Sequence, residues 1–427
     1  MSEQNYQKID TSKFKQISLQ ELNEILGLTI KKDEVNKSIT FLCALSAYTE
    51  NSQFNISFNA PSSSGKSYIP LEIAQLFPKE DVIKTGYASP TAFFHEHGEF
   101  KKELKGYEVD LERKILIFLD QPHNLLLQHL RPLLSHDEKE ILLKITDKNE
   151  RYGLKTKNIL IKGFPSVIFC SAGLKIDEQE ATRMILLSPE ITQEKIREGI
   201  YTKIQKEADE IAFKNWLEEN PKRKLLKERI SAIKQENIKE IKISSPELLK
   251  EMFEKRIKIL KPRHQRDIGR IISLAKSLAL LNLWWRERTQ QTIIANSEDI
   301  REAFKLWDEI SESQELGIPP YIYNLYKNII LPLWEEKNSE GDGGIVEPNG
   351  IEREEIIKKH FQVYGQPLDP LKLRQQIIPM WESAGLIYQK PDPNDRRKML
   401  IYPTTPLTIF KKQNNSELGG GVNEVKE

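Results

Sequence analysis

Residues 54–67, Phe54-Asn-Ile-Ser-Phe-Asn-Ala-Pro-Ser-Ser-Ser-Gly-Lys-Ser67, restrict what this chain can fold into more than any other stretch. Phe54, Ile56 and Phe58 alternate with polar residues, which is the period of a β-strand. Ala60, Pro61, Ser62, Ser63, Ser64, Gly65, Lys66 and Ser67 then follow the Walker A phosphate-loop pattern, with Ala60 where the first glycine usually stands. Small side chains leave the backbone N–H groups of such a loop open to phosphate oxygens. In that pattern Lys66 reaches the β- and γ-phosphates, and the Ser67 hydroxyl ligates Mg²⁺. A helix expected over 66–76 turns its positive end toward the same phosphates. The plainer alternative is a Ser/Gly turn that merely joins a strand to a helix.

The 427 residues suffice for two or three domains. With 38% hydrophobic and 30% charged residues, the chain reads as soluble and globular, with long solvated helices. A formal net charge of +1 predicts no polyanion partner by itself, so any nucleic-acid site must come from local patches. Cys43 and Cys170 lie in apolar runs far apart and read as reduced core residues of a cytoplasmic protein. The polar N-terminus does not read as a signal peptide. The longest apolar segment, Ile271 to Trp285, contains Lys276 and Asn282 and is too short to span a bilayer.

Ser18-Leu-Gln-Glu21 has capping-box spacing and starts a short expected helix to Leu26, ended by Gly27. Asp33 to Tyr48 reads as an amphipathic helix with Val35, Ile39, Leu42, Cys43 and Leu45 inward. Val82-Ile83 is a short expected strand, Ser89 to His95 begins a helix, and 96–112 reads as a charged insertion. His95-Glu96-His97 is not read as a metal site: neighbouring side chains point apart, and no third ligand follows at zinc spacing. Ile115-Leu-Ile-Phe-Leu-Asp120-Gln121 is an apolar run that ends in a carboxylate, the shape of a Walker B strand. Residues 141–161 read as a β-hairpin whose tip carries Lys148, Arg151, Lys155 and Lys157. That tip is either a solvated surface or a finger for a phosphodiester backbone. Pro165 to Ser171 is a further buried strand.

From 189 to 260 the chain reads as charged helix, followed by a long helix from Arg263 to Arg288 and another from Ser297 to about Ile310. Gly317-Ile-Pro-Pro320 marks a boundary. Behind it come expected helices at 321–336, 351–360 and 370–384. Two strands around 386–388 and 399–402 follow, and winged-helix order results. The expected domains are a helical linker at 1–50, an α/β core at 51–190, a helical region at 191–316 and a winged helix at 321–405, with a disordered tail over 411–427.

Walker A, Walker B, a strand ending in a polar residue, a following arginine and a helical region form an ordered set that resembles the AAA+ ATPases. More narrowly, the set is similar to the minichromosome maintenance (MCM) helicases and the replication helicases of mobile elements. The likeness covers roughly 18–310 for the ATPase, with the winged helix behind it. It implies an α/β P-loop fold with an α-helical lid, ATP and Mg²⁺ as ligands, and DNA as partner. It also implies a homo-oligomeric, hexameric ring.

By the same likeness Asp120 holds Mg²⁺ and Ser171 takes the sensor-1 position, where the family usually has Asn. Arg183 in Ala181-Thr-Arg-Met resembles the arginine finger, and Arg266 the sensor-2 arginine. The hairpin over 141–161 is similar to the pre-sensor-1 hairpin. Two departures stand out: the large N-terminal DNA-binding domain of MCM proteins has no counterpart in the fifty residues before the strand, and Gln121 replaces the Walker B glutamate. Glutamine can orient water but cannot take its proton. His123 and Glu96 are other candidates for that task.

The expected activity is an ATP-dependent DNA translocase or helicase in replication of a mobile element. The alternatives are a primase-associated or origin-loading ATPase, and a nucleotide-gated DNA-binding regulator with little hydrolysis. Lys372 and Arg374 on a helix of the winged unit, with Arg396, Arg397 and Lys398 in its wing, are the further expected DNA contacts.

Overall fold

The computed structural model describes residues 9–86, 93, 97–120, 124–147, 155–171, 183–257, 259–338 and 348–404. They fall into two compact units that divide after Pro320.

The first unit is built on a five-stranded sheet of β1 (Ile56–Asn59), β2 (Val82–Thr85), β5 (Ile115–Phe118), β8 (Ser166–Ser171) and β9 (Ile185–Leu187). The spatial order is β2-β5-β8-β1-β9 and every pair is parallel. All but the edge strand β2 are buried along their length; β5, β8 and β9 accordingly read in the sequence as near-continuous apolar runs, whereas β1 buries the polar Ser57 and Asn59 as well. Alternation sorts their side chains into two layers. Ile56, Phe58, Ile115, Ile117, Ile168 and Cys170 share one core with α1 (Leu19–Leu26), α2 (Glu34–Ser46) and α3 (Tyr68–Ala74). Leu116, Phe118, Val167 and Phe169 share the other with α4 (Asn124–Leu134).

Asn55 ties the amino ends of the strands together. Its side chain accepts from Val167 N (3.1 Å) and donates to Leu134 O (3.0 Å), while its carbonyl accepts from Ile185 N (2.8 Å).

The expected capping box of α1 is present: Glu21 N donates to Ser18 Oγ and Ser18 N to Glu21 Oε2. Helix α2 departs from the amphipathic expectation, because Asn36 through Ser46 are buried on every side. Its polar residues find local partners: Thr40 Oγ1 donates to Asn36 O (2.7 Å), and Ser46 Oγ to Cys43 O (2.6 Å). Asn36 Nδ2 donates to Ser188 O (2.9 Å). Both cysteines are free and buried.

The segment read as a charged insertion instead contributes β3 (Glu99–Lys101) and β4 (Gly106–Asp110) to a second sheet. With β6 (Glu140–Asp147) and β7 (Lys155–Lys162) the order is β3-β4-β7-β6. The expected hairpin is β6–β7, paired from Glu140↔Lys162 to Asp147↔Lys155.

After β9 come α5 (Gln193–Ala208), α6 (Glu210–Glu219) and α7 (Pro221–Glu236). A strand interrupts the stretch read as wholly helical: β10 (Glu240–Ile243) precedes α8 (Pro246–Arg256). The long helix expected to Arg288 is α9 (His264–Leu281) and stops early. Asn282 exchanges both its amide groups with the backbone of Ile17, at 2.9 Å each, and the chain leaves helical geometry there. Strands β11 (Arg288–Thr289) and β12 (Thr292–Ala295) then join β10 in a three-stranded sheet, before α10 (Ser297–Leu316).

The second unit begins in the helix formed by α11 (Pro320–Leu325), a π turn (Tyr326–Ile330) and α12 (Leu331–Asn338). Next are α13 (Arg353–Tyr364), then α14 (Pro370–Lys372) running through a π turn (Leu373–Ile377) into α15 (Ile378–Ser383). A two-stranded ribbon of β13 (Ile387–Pro391) and β14 (Met399–Pro403) closes the unit. Ile351 bridges to Ile401 beside the ribbon. Trp381 is fully buried at the centre, and its indole N–H donates to Ile322 O (2.9 Å). No helix among the described residues is long and apolar enough to cross a membrane.

Candidate functional site

The loop 60–67 leaves the carboxyl end of β1 at the point where the chain reverses its direction across the sheet. From β1 the chain goes out to β2, returns through β5 and β8 to β1's flank, then passes to β9 on the other side. In open parallel sheets, ligands bind in the crevice at such a switch point, beyond the carboxyl ends. Asn59 pairs with Ser171, so the loop starts level with the end of β8. Ala60 N donates to Ser171 O at 3.5 Å. Ala60 has no exposed surface, which suits a small residue at the loop's first position.

Two residues turn the loop through left-handed backbone, Ser63 at φ 63° and Gly65 at φ 88°. A side chain on Gly65 would meet no heavy atom within 4 Å, so backbone conformation rather than crowding favours glycine there. Ser64 Oγ donates back to Pro61 O (2.8 Å) and closes the turn. Tyr68 N and Ile69 N donate to Gly65 O, and Leu71 N to Ser67 O, which starts α3. That helix is shorter than the expected 66–76. Among the described residues the Lys66 ammonium has no hydrogen-bond or ion-pair partner. Beneath the loop, Cys170 Sγ donates to Lys66 O at 3.6 Å. Burial pushes the Cys170 thiol up to about 12, against the opposing pull of the Lys66 charge.

Asp120 is exposed, two residues beyond the carboxyl end of β5. Strand β8 separates β5 from β1, so the Asp120 strand and the loop strand lie about 10 Å apart. The loop, Ser171 and Asp120 therefore share one edge of one sheet. The residues present fit Mg²⁺ in kind: a Ser67 hydroxyl and an Asp120 carboxylate are hard oxygen donors. The loop fits a polyphosphate through its two left-handed turns and small side chains. Gln121 and His123 lie outside the described residues, as do His95 and Glu96. No group of three His, Cys, Asp or Glu side chains is placed to hold a metal among the described residues.

Arg183 is elsewhere. It precedes β9, whose first residue is level with Ile56, and so stands at the amino edge of the sheet. Its Nε donates to Ser135 Oγ at 2.7 Å. Arg266 is exposed on the first turn of α9, a helix that packs on α2 and α10. Its neighbour Arg270 is buried and bonded to Asp267 (2.9 Å), with burial pulling the guanidinium down to about 10.

Of the expected nucleic-acid contacts, Lys148 and Arg151 lie outside the described residues. The backbone of Lys155 and Lys157 begins β7. Arg374, Arg396, Arg397 and Lys398 are exposed and Lys372 is half-buried. Arg397 pairs with Asp395 (3.0 Å) and Lys398 with Glu352 (3.5 Å).

The sequence reading missed the turn Lys102–Lys105 between β3 and β4. Gly106 pairs with Asn158 in parallel, so this turn lies at the end of its sheet where β7 begins. Asn158 Nδ2 donates to Leu104 O (2.9 Å), and a Cβ on Gly106 would come 1.8 Å from Asn158 O. Only glycine permits that approach. Lys101, Lys102 and Lys105 thereby join the basic end of the hairpin sheet. The signal was the alternation of Tyr107, Val109 and Leu111 after a Lys-Gly turn.

Fold and loop together define a parallel α/β protein of P-loop-like architecture. No protein-family profile matches the sequence, and no curated protein matches it. Among solved structures it is similar to a full-length MCM homolog from Methanopyrus kandleri, at 13% identity and a TM-score of 0.41. The match covers 72% of this chain and 64% of that one. A likeness that distant bears on neither activity nor residue roles.

Proposed function

We propose that the protein is an ATP-dependent DNA translocase or helicase of the AAA+, MCM-like type, acting in replication of a mobile element. The observation that carries this reading is the meeting of the 60–67 loop, Ser171 and Asp120 at the switch point of a parallel sheet. Backbone N–H groups of 62–67 cradle the phosphates, and Lys66 neutralises the γ-phosphate. Ser67 and Asp120 hold Mg²⁺, which when bound offsets charge on the β- and γ-oxygens. Ser171 orients the attacked phosphate or the water, and Gln121 positions that water without taking its proton.

Arg183 lies at the sheet's opposite edge, so it serves the nucleotide of a neighbouring subunit, as a hexameric ring requires. Arg266 completes the neutralisation from the helical lid. The hairpin sheet, with Lys101, Lys102, Lys105, Lys148, Arg151, Lys155 and Lys157, tracks the phosphodiester backbone. The second unit has the element order of a winged helix and places Lys372, Arg374, Arg396, Arg397 and Lys398 on duplex DNA during loading. A second reading rests on Gln121: a nucleotide-gated DNA-binding regulator that hydrolyses little.

ATPase rate with and without single-stranded DNA, then strand displacement on a forked duplex, decides between them. DNA-stimulated turnover with displacement supports the motor. Nucleotide-dependent DNA affinity without turnover supports the regulator.

A further inference from the structure

The β13–β14 ribbon has two unlike faces. On one, Ile387 and Ile401 are buried, and Gln389 between them bonds Arg353 of α13 (3.1 Å) and Glu382 of α15 (3.0 Å). This face is the unit's own core side. The other carries Tyr388, Lys390, Leu400 and Tyr402, with Tyr388 directly opposite Tyr402 and Lys390 opposite Leu400.

On that second face the rings of Tyr388 and Tyr402 lie nearly parallel, with centroids 5.2 Å apart and planes 11° apart. Trp334 of α12 meets Tyr402 edge-on at 6.0 Å. Tyr402 is 9% exposed, held by both neighbours and by the backbone at Gly350, where a Cβ would come 2.7 Å from its ring. Tyr388 stays 39% exposed at the open end of this aromatic row. The Lys390 ammonium sits over both tyrosine rings, 5.5 and 5.7 Å from their centroids. By alternation Lys398 falls on the same face, and Arg396 lies exposed in the turn beyond.

We propose that Tyr388 and Lys390 form a stacking site for an unpaired nucleobase and its phosphate, so that this ribbon binds single-stranded nucleic acid. A ring fixed from behind, exposed in front and flanked by a lysine is what sequence-tolerant single-strand binding uses. In a duplex the base faces are already stacked, so the exposed face of Tyr388 has nothing to receive there. The stacked ring gives affinity that salt does not screen, while Lys390 and Arg396 add the salt-dependent part. Every base presents a π-face, so the site is indifferent to sequence.

This inference rests on DNA being the partner. The test measures full-length protein binding to a short oligothymidylate, the same strand with abasic positions, and a duplex of equal length. The variants are Tyr388→Leu, which keeps apolar cover over Tyr402, Tyr388→Phe and Lys390→Gln. Tyr388→Leu is expected to weaken single-strand binding about tenfold. It should leave duplex binding and thermal unfolding unchanged, and Tyr388→Phe should match the parent. The parent should bind the abasic strand no better than Tyr388→Leu binds the intact one. Equal affinity of parent and Tyr388→Leu for the intact strand overturns the stacking site and leaves the DNA reading standing. A loss of the same size on the intact strand, abasic strand and duplex also overturns it, in favour of phosphate contact alone. A parent that binds none of the three overturns the DNA reading itself.

Discussion

Lys66 and Arg183 stand at opposite ends of the same sheet. Lys66 follows the carboxyl end of β1, Arg183 precedes the amino end of β9, and the two strands are parallel neighbours. Five residues of strand separate their levels, roughly 15 Å. Within one chain the arginine cannot touch a phosphate held by the lysine's loop, so any shared work is done between copies. Mixing Arg183→Ala subunits with Lys66→Ala subunits should therefore restore some active interfaces, although each variant alone falls by roughly 10³-fold in turnover. The check is ATPase rate across mixing ratios, with mixed assembly verified by mass. No recovery at any ratio would leave Arg183 with a structural role, of which its bond to Ser135 is a part.

Lys66→Ala removes a cation that no described group occupies. ATP-dependent activity should drop by the same roughly 10³-fold while thermal unfolding stays unchanged. Nucleotide affinity and turnover equal to the parent's would remove the loop from the site.

Gln121 supports a different comparison. If it only positions water, Gln121→Glu should maintain or raise turnover and Gln121→Ala should lower it. Steady-state ATPase rates read the difference. An alanine variant as active as the parent would shift water activation to His123.

Cys170 gives a pH signature of the buried loop floor. Burial holds its thiol protonated in the fold up to about 12, against 9.0 for a thiol open to water. Above pH 9 the unfolded chain has lost this proton and the folded chain has kept it, so stability falls as pH rises. One thiol contributes a slope of about 1.4 kcal/mol per pH unit between those values. Denaturant unfolding of parent and Cys170→Ala at pH 8.5 and 10 should show a smaller loss in the variant. Equal losses would mean that Cys170 ionises freely in the fold.

How legible these features were depended on how each element meets water. Strands β5 and β8 are buried on both faces and appear as apolar runs, and β1 shows as the alternation of Phe54, Ile56 and Phe58, so 56–59, 115–118 and 166–171 could be read directly. The loop pattern was legible because Gly65, Lys66 and Ser67 stand at Walker A spacing directly after a strand. Strands β3 and β10 are short and half-charged, and each lies beside charged sequence that reads as loop or helix. Their pairing partners, β4 and β12, are what make them strands. The burial of α2 from Asn36 to Ser46 was hidden by Asn36, Lys37, Ser38 and Thr40, because local periodicity does not show that polar groups will find partners inside. The place of Arg183 needed the parallel register of β1 and β9, which depends on tertiary pairing across more than a hundred residues.

The two basic regions should differ in consequence. The hairpin sequence carries Lys148, Arg151, Lys155 and Lys157, and Lys102 and Lys105 lie at the end of the sheet where β7 begins. The wing carries Arg396, Arg397 and Lys398, and there Arg397 and Lys398 already pair with Asp395 and Glu352. Each phosphate contact contributes about one unit to the salt slope of binding. Paired cations contribute less, since a carboxylate must first be displaced, so Arg396 should dominate the wing's share. If the hairpin moves with the ATP cycle, Lys148→Ala with Arg151→Ala should uncouple ATPase from unwinding while much DNA affinity remains. Adding Lys102→Ala and Lys105→Ala should deepen that loss, because their turn lies at the end of the sheet where β7 begins. Arg396→Ala with Arg397→Ala and Lys398→Ala should instead weaken duplex loading and flatten the salt slope, with pre-loaded unwinding largely preserved. DNA affinity against salt, ATPase stimulation and strand displacement are measured on both sets. A hairpin variant that unwinds normally ends the translocation reading and leaves a DNA-binding switch in its place.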